Sequence, residues 1–446
     1  MQFLQPFPRW VGCLCLVFWL LPGLAQAARV QVDAGKIITH VPKELFGANL
    51  LQEKDYPLDD LYRSKVRHLG ITLLRYPGGF AEREEFYNWR YSQYNAEVYE
   101  QVQSGVLKRN ALDQEENHRT GIGDFLAFAK QAGAKPTLIV STRRYVNDLQ
   151  KGLEEAAALV RAVNVDKKFG DYFVEVWEVG NERYENPAGF ATEARKYIRV
   201  MKQADPRIRV FIEAGKRNRP EDAERTRASL GDAAYDGLVV HTFVTGDTPH
   251  VERQLSKIQS QWPSGKKLFL SAWNSGTPNG AQGLEQAEVM LRLVDGFLQA
   301  GVSMAAVWPV QNNTKTSLTE LHGPAIYPAG EIFAWMSEYG KGGEYLRTEA
   351  DGVYARAFRQ GKRLTIFICG GDRAPTDVSV EVRGFGFDVG KIVAEAMWAK
   401  GKTSAVRPPQ FLSVTPKLKD QKLEVKINQN SRYEVIRLTL LQSGSN

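Results

Sequence analysis

The run Trp177-Glu-Val-Gly-Asn-Glu182 closes an apolar stretch with an amide beside a carboxyl. Residues 173–179 have strand length and branched side chains, so Glu182 is expected just past the carboxyl end of a strand. A carboxyl flanked by Trp177 and apolar strand neighbours can be held protonated and act as a general acid. The Asn181 amide can donate to a hydroxyl, such as that of a sugar. The competing reading is that Glu182 caps the helix that opens near Pro187. Glu213, within the run 208–214, is a second candidate carboxylate; its alternative is a plain ion pair with Lys216 or Arg217. Other runs also end in polar or aromatic side chains: Arg75, His241, Trp273 with Asn274, and Trp308.

The elements that must position these residues repeat in a regular way. Eight short apolar runs, at 44–50, 71–77, 136–141, 173–179, 208–214, 237–243, 267–273 and 304–310, alternate with helical stretches. Continuous runs of this kind suit parallel strands buried on both faces. Segments 124–132 and 286–298 carry apolar residues at helical spacing. Eight strands with helices between them fit an α/β chain folded as a (β/α)8 TIM barrel over residues 44–340, and function then sits at the carboxyl ends of the strands. A doubly wound sheet alternates in the same way. After residue 340 the helices stop, and runs at 353–358, 363–369, 378–383, 422–427 and 433–440 predict a C-terminal β-sandwich over 341–446. Residues 28–43 begin with an alternating segment that reads as an edge strand joining that sandwich.

The 446 residues are 43% hydrophobic, 11% aromatic and 24% charged, which excludes a disordered chain. Residues 1–27 carry Arg9, an apolar core and Ala25-Gln-Ala27, so a cleaved signal peptide and a secreted or periplasmic protein are expected. The apolar core is too short for a spanning helix, and no later run approaches one. Cleavage removes Cys13 and Cys15 and leaves Cys369 alone, so no intrachain disulfide is expected. With 58 Lys and Arg against 51 Asp and Glu, the formal charge is +7, and cleavage lowers it to +6 by removing one Arg. The six His show no metal-ligand spacing, and no phosphate loop is present. No cofactor and no metal are expected. Basic residues are dispersed, which argues against nucleic acid as a partner.

Taken in order, the stretch from Val30 to Leu50, the run Leu74-Arg-Tyr-Pro-Gly-Gly79 and Trp177–Glu182 resemble clan-A glycoside hydrolases. The likeness is to α-L-arabinofuranosidase-like proteins, with β-xylosidase-like and heparanase-like proteins as relatives. The resemblance implies an exported protein acting on or binding a polysaccharide or oligosaccharide, with Glu182 as acid/base and Asn181 as its neighbour on a sugar hydroxyl. It implies Arg75 beside the nucleophile, His241 on the sixth strand, and Trp308 as the aromatic floor of a sugar subsite. It also implies Trp273 and Asn274 in the substrate site. At the seventh strand the family places its nucleophilic Glu before Trp-Asn, and here that residue is Ala272. Phe243 stands where the family has Tyr.

A retaining mechanism needs two carboxyls, so three readings stay open. A catalytically inactive pseudo-hydrolase could bind saccharides in polysaccharide export or modification. A hydrolase could use another carboxylate, Glu213 first and Glu178 deeper in the barrel. A group of the substrate could also serve as nucleophile. Without the missing Glu, Arg75 is expected to lack its partner, and either an acid of the chain or an acidic polysaccharide would fill the place. Aromatic residues between Phe86 and Tyr99 are candidates for stacking on sugars or for packing their loop.

Overall fold

The computed structural model describes residues 28–51, 55, 57–78, 89–90, 105, 120–216, 220–231, 233–245, 248–260, 265–276, 283–312, 314–371, 377–388, 391–398, 409–419, 422–427 and 433–442. The expected leader lies outside them, as does most of the aromatic run from 86 to 99.

Eight parallel strands close into a barrel: β2 (Gly47–Asn49), β3 (Leu73–Tyr76), β4 (Lys135–Val140), β5 (Val176–Val179), β6 (Arg209–Lys216), β7 (Gly237–Thr245), β8 (Lys267–Gly276) and β9 (Met304–Val307). Among the described residues one α-helix follows each. They are α1 (Asp60–His68), α2 (Ile122–Ala132), α3 (Leu149–Val160), α4 (Pro187–Ala204), α5 (Pro220–Leu230), α6 (Thr248–Ser260), α7 (Leu284–Gln299) and α8 (Pro328–Gly340). The two-residue period of a strand sorts the side chains. Leu73, Val176, Phe211, Val239, Phe269 and Met304 turn inward and fill the barrel. Leu74, Trp177, Val210 and Leu238 belong to the larger core shared with the helices. Two residues above the apolar layer, the same inward positions become Arg75, Glu178, Glu213, His241 and Ser271, all buried. The barrel is dry and apolar below and polar at its mouth.

The second unit is built from β1 (Ala28–His40), β10 (Glu344–Asp351), β11 (Tyr354–Gln360), β12 (Arg363–Cys369), β13 (Asp377–Arg383), β14 (Val393–Trp398), β15 (Gln410–Val414), β16 (Lys417–Lys419), β17 (Lys422–Lys426) and β18 (Val435–Leu441). They form one sheet in the order β15-β14-β18-β12-β11-β10-β1-β13-β17-β16. Ala394 of β14 and Leu423 of β17, far apart in that order, share one buried cluster with Val30, Ile366 and Val380. The sheet therefore curls onto itself as a sandwich. β1 is not an edge strand, contrary to its sequence pattern. It pairs antiparallel with β10 and parallel with β13. The alternation that suggested an edge reflects its place across the curl, with Val30 and Val32 in the sandwich core.

The other face of this sheet rests on the barrel. Trp335 of α8 stacks on Phe367 of β12 at 6.4 Å and 12°. Asp295 of α7 accepts hydrogen bonds from Tyr345, from Tyr354 at 2.7 Å and from Arg356 Nε at 2.6 Å. No helix among the described residues is long and apolar enough to cross a membrane.

Candidate active site

The turn after β5 sets the geometry of the mouth. Gly180 takes φ +72°, and a Cβ there would lie 2.8 Å from the Thr142 hydroxyl. This bend turns Asn181 inward and lifts Glu182 to the rim. Glu182 itself has φ +52°, a left-handed conformation that side chains other than glycine's seldom adopt. Its backbone carbonyl accepts from Arg143 Nη2 at 2.8 Å and from the Tyr184 amide at 2.9 Å. α4 has its own cap, since the Asn186 side chain accepts from the Gly189 amide. Glu182 is therefore not the cap of the following helix.

Glu182 is 32% exposed, and its Oε1 lies 3.0 Å from His241 Nδ1. The other ring nitrogen of His241 is 3.1 Å from the Ser271 hydroxyl. His241 is thereby fixed from both sides, and it fixes one oxygen of Glu182. Tyr184 meets the His241 ring edge-on with centroids 6.5 Å apart. Burial, then the charges of Glu213 and Glu182, push the Tyr184 phenol far above its ordinary range.

Arg75 is fully buried. Its Nε donates to Glu178 Oε1 at 2.8 Å and its Nη2 to Glu178 Oε2 at 2.9 Å. The same guanidinium reaches Asn49 Oδ1 at 2.8 Å and Asn181 Oδ1 at 3.0 Å. Of the two ways the sequence left to match Arg75, an acid of the chain is the one found, because Glu178 occupies the inward position on β5 that faces it. Every one of these contacts is internal, which places Arg75 behind the mouth as a positioning residue. One consequence falls on Asn181: its oxygen is taken by Arg75, which turns its Nδ2 away. That Nδ2 is buried without a hydrogen-bond partner. An orphan amide donor beside Glu182 is a ready contact for a ligand oxygen.

Glu213 lies at the same level on β6. Its Oε2 accepts from the Arg183 amide at 3.3 Å. Burial, modulated by His241 and Glu182, pushes its carboxyl up to about 7. It supports the loop that carries Tyr184. The side chains of Lys216 and Arg217, its alternative partners, lie outside the described residues.

β8 bulges between Leu270 and Trp273. The bulge leaves Ala272 beside His241 in the β7 register and turns Trp273 outward. The Trp273 ring is buried against Phe297 and Phe333, with centroids 4.9 and 6.3 Å away. Its expected place in the substrate site is therefore not where the ring lies. Asn274 is also buried. Its Nδ2 donates to the carbonyls of Trp308 at 2.5 Å and Thr316 at 2.7 Å, tying β8 to the loop after β9. Trp308 is half-buried and meets Phe243 edge-on at 5.8 Å. Phe243 is 48% exposed, so the two rings offer an apolar platform at the mouth.

Trp89 is buried and donates to Glu155 at 3.0 Å, so this one of the loop aromatics packs the loop rather than facing a ligand. Among the described residues no group of three or more His, Cys, Asp or Glu could hold a metal ion. Asn49 and Ser271 were not singled out in the sequence. Their signal was the inward parity two residues above Gly47 and Phe269.

Neither the family models nor the curated proteins give a match to this sequence. Solved structures do. The α-L-arabinofuranosidase from Thermotoga maritima, solved with arabinose, superposes with a TM-score of 0.67 at 16% identity, covering 93% of this chain and 100% of that one. The GH51 arabinofuranosidase from Xanthomonas axonopodis pv. citri gives 0.69 at 13%, covering 93% and 99%. A monomeric β-xylosidase from Caulobacter crescentus CB15 gives 0.60 at 11%, covering 93% and 100%. The chain has the fold of a clan-A glycoside hydrolase. Both the barrel and the curled sheet take part, since nearly all of each chain is matched. At these identities the likeness is one of architecture, and the chemistry rests on the residues of the mouth.

Proposed function

We propose that this chain is an exported, glycoside hydrolase-like protein that binds an oligosaccharide or polysaccharide in the barrel mouth without double displacement. The carrying observation is the state of the four positions where carboxylates could act. Glu182 stands at the rim with solvent access. Glu178 is clamped by Arg75, Glu213 is buried and holds its proton up to about 7, and β8 offers Ala272. One accessible carboxyl can protonate a glycosidic oxygen, but a covalent intermediate needs a second as nucleophile. Binding has its own support in the orphan Asn181 amide, the Phe243–Trp308 platform and the His241-oriented Glu182. These are the elements that hold a sugar by hydroxyl and by face.

A second reading is favoured by Glu213. A carboxyl near 7 beside an accessible one gives two groups whose environments differ, as an acid and base pair requires. In that case a water attacks the anomeric carbon and yields its proton to one carboxylate. The other carboxyl protonates the leaving oxygen, and the configuration inverts.

Calorimetric titration with arabino- and xylo-oligosaccharides, alongside release of nitrophenol from 4-nitrophenyl α-L-arabinofuranoside and β-D-xyloside, tests both. Binding without turnover supports the first reading. Turnover that disappears in both Glu182→Gln and Glu213→Gln supports the second. A native protein that binds no saccharide would remove both.

A further inference from the structure

The outward face of α4 carries a feature that the mouth does not use. Ala194, Tyr197, Ile198 and Met201 turn into the core. Arg195, Lys196, Arg199 and Lys202 line a groove of about 620 Å³, closed on its far side by Ala233 and Ala234. Lys202 is neutralised by Asp236, with Nζ 2.7 Å from Oδ2. Arg195, Lys196 and Arg199 are exposed, and among the described residues their side chains have no ion pair or hydrogen bond. Three uncompensated cations within five positions repel one another. The helix dipole does not account for them, because it acts within the last turn and α4 runs on to Ala204. The arrangement calls for an anion.

The shape narrows the anion. Arg195 and Arg199 lie one turn apart, about 6 Å along the axis, so the charges form a row. No aromatic side chain lines the groove, which removes the stacking platform that single-stranded nucleic acid uses. The groove is within the volume range of ligand clefts. Ala233 and Ala234 give an apolar wall for the carbon faces of sugar rings. α4 also begins at Pro187, five residues after Glu182.

We propose that this groove is a second saccharide site, and that it takes an acidic polysaccharide carrying carboxylates along its length. The saccharide class rests on the reading of the mouth; the location rests on the unpaired cations.

The test uses the full chain and polygalacturonate, with a neutral xylo-oligosaccharide as the probe of the mouth. The variant Arg195→Gln/Lys196→Gln/Arg199→Gln should bind polygalacturonate about tenfold more weakly at low salt. Its affinity for the neutral probe and its melting temperature should not fall. Glu182→Gln should keep the polygalacturonate site. Unchanged polygalacturonate binding by the triple variant overturns the proposal. So does equal binding of single-stranded DNA or phosphatidylserine vesicles by the native protein. Loss of polygalacturonate binding in Glu182→Gln alone moves the anion to the mouth, which overturns the groove and spares the mouth. Failure of the neutral probe with polygalacturonate still bound through the three cations removes the mouth reading and spares the groove.

Discussion

Glu178 grips Arg75 with both carboxylate oxygens from two strands away, at 2.8 and 2.9 Å, in full burial. A buried pair satisfied in this way is costly to break from one side, because the remaining charge has no water. Glu178→Leu should lower the unfolding free energy by about 3–5 kcal/mol. Arg75→Met in the same chain should recover much of that loss. Urea unfolding of the two single variants and the double variant measures this. Additive losses would show that the pair is not coupled.

Glu213 makes stability fall with rising pH. Its folded carboxyl titrates at about 7, above the ordinary carboxylate range. The folded state therefore holds a proton that the unfolded state has released. The stabilisation is complete below about 4.5 and is lost as pH climbs through about 7, with a size of order 3 kcal/mol. Glu213→Gln keeps a neutral side chain throughout. Relative to the native chain it should gain stability between pH 5 and 8 in thermal melts. A gap that does not change over this window would contradict the assignment.

Ala272 stands beside His241 where a second carboxylate would complete the pair. Ala272→Glu should raise nitrophenol release from an activated aryl glycoside at least about tenfold, since a nucleophile then shares the mouth with Glu182. Adding Glu182→Gln should abolish the gain. A folded Ala272→Glu chain that binds saccharide and stays silent would show that the mouth lacks the geometry for attack.

Asp295 joins the two units. Burial raises its carboxyl, but Arg356 and the phenols of Tyr345 and Tyr354 pull it below the ordinary carboxylate range. A depressed carboxyl contributes stability above its unfolded value and loses it as pH falls through the folded one. Asp295→Asn should cost about 2–4 kcal/mol at neutral pH. The difference from the native chain should begin to narrow only below about 3.8, the ordinary aspartate value, and should close once pH has fallen through the lower folded value. Calorimetric scans at pH 7 and pH 2 read it directly.

The barrel was legible because strands buried on both faces are unbroken apolar runs; each of the eight strands overlaps one of the runs, four lie wholly within theirs, and β4, β6, β7 and β8 extend beyond. The mouth was legible in part. Glu182 and His241 meet as the strand ends suggested, yet the partner of Arg75 was overlooked although Glu178 shares its inward parity. Trp273 was expected in the substrate site, but a bulge turns its ring away, and no residue type announces that bulge. In the curled sheet, β10 reads as charged sequence. β16 is Lys-Leu-Lys and carries almost no apolar signal, while β15, although it holds Phe411, Leu412 and Val414, is largely exposed and too short to stand out. β1 looked like an edge because pairing across the whole chain leaves no local trace.

Asn49 seals the barrel. Its Nδ2 reaches the carbonyls of Ser271, Ala306 and Val307, while its oxygen holds Arg75. β2 is only three residues long, so this amide reinforces a short seam with β9 that pairs only Gly47 with Ala306 and Ala48 with Val307. The sheet has the same long reach, since Gln31 and Glu381 meet across 350 positions. During synthesis the first strands emerge long before the strands that pair with them, and neither unit can close until most of the chain is made. For that interval the apolar side of β1, with Val30 and Val32, has no sheet to cover it. Closure of both units therefore waits on strands made late in synthesis.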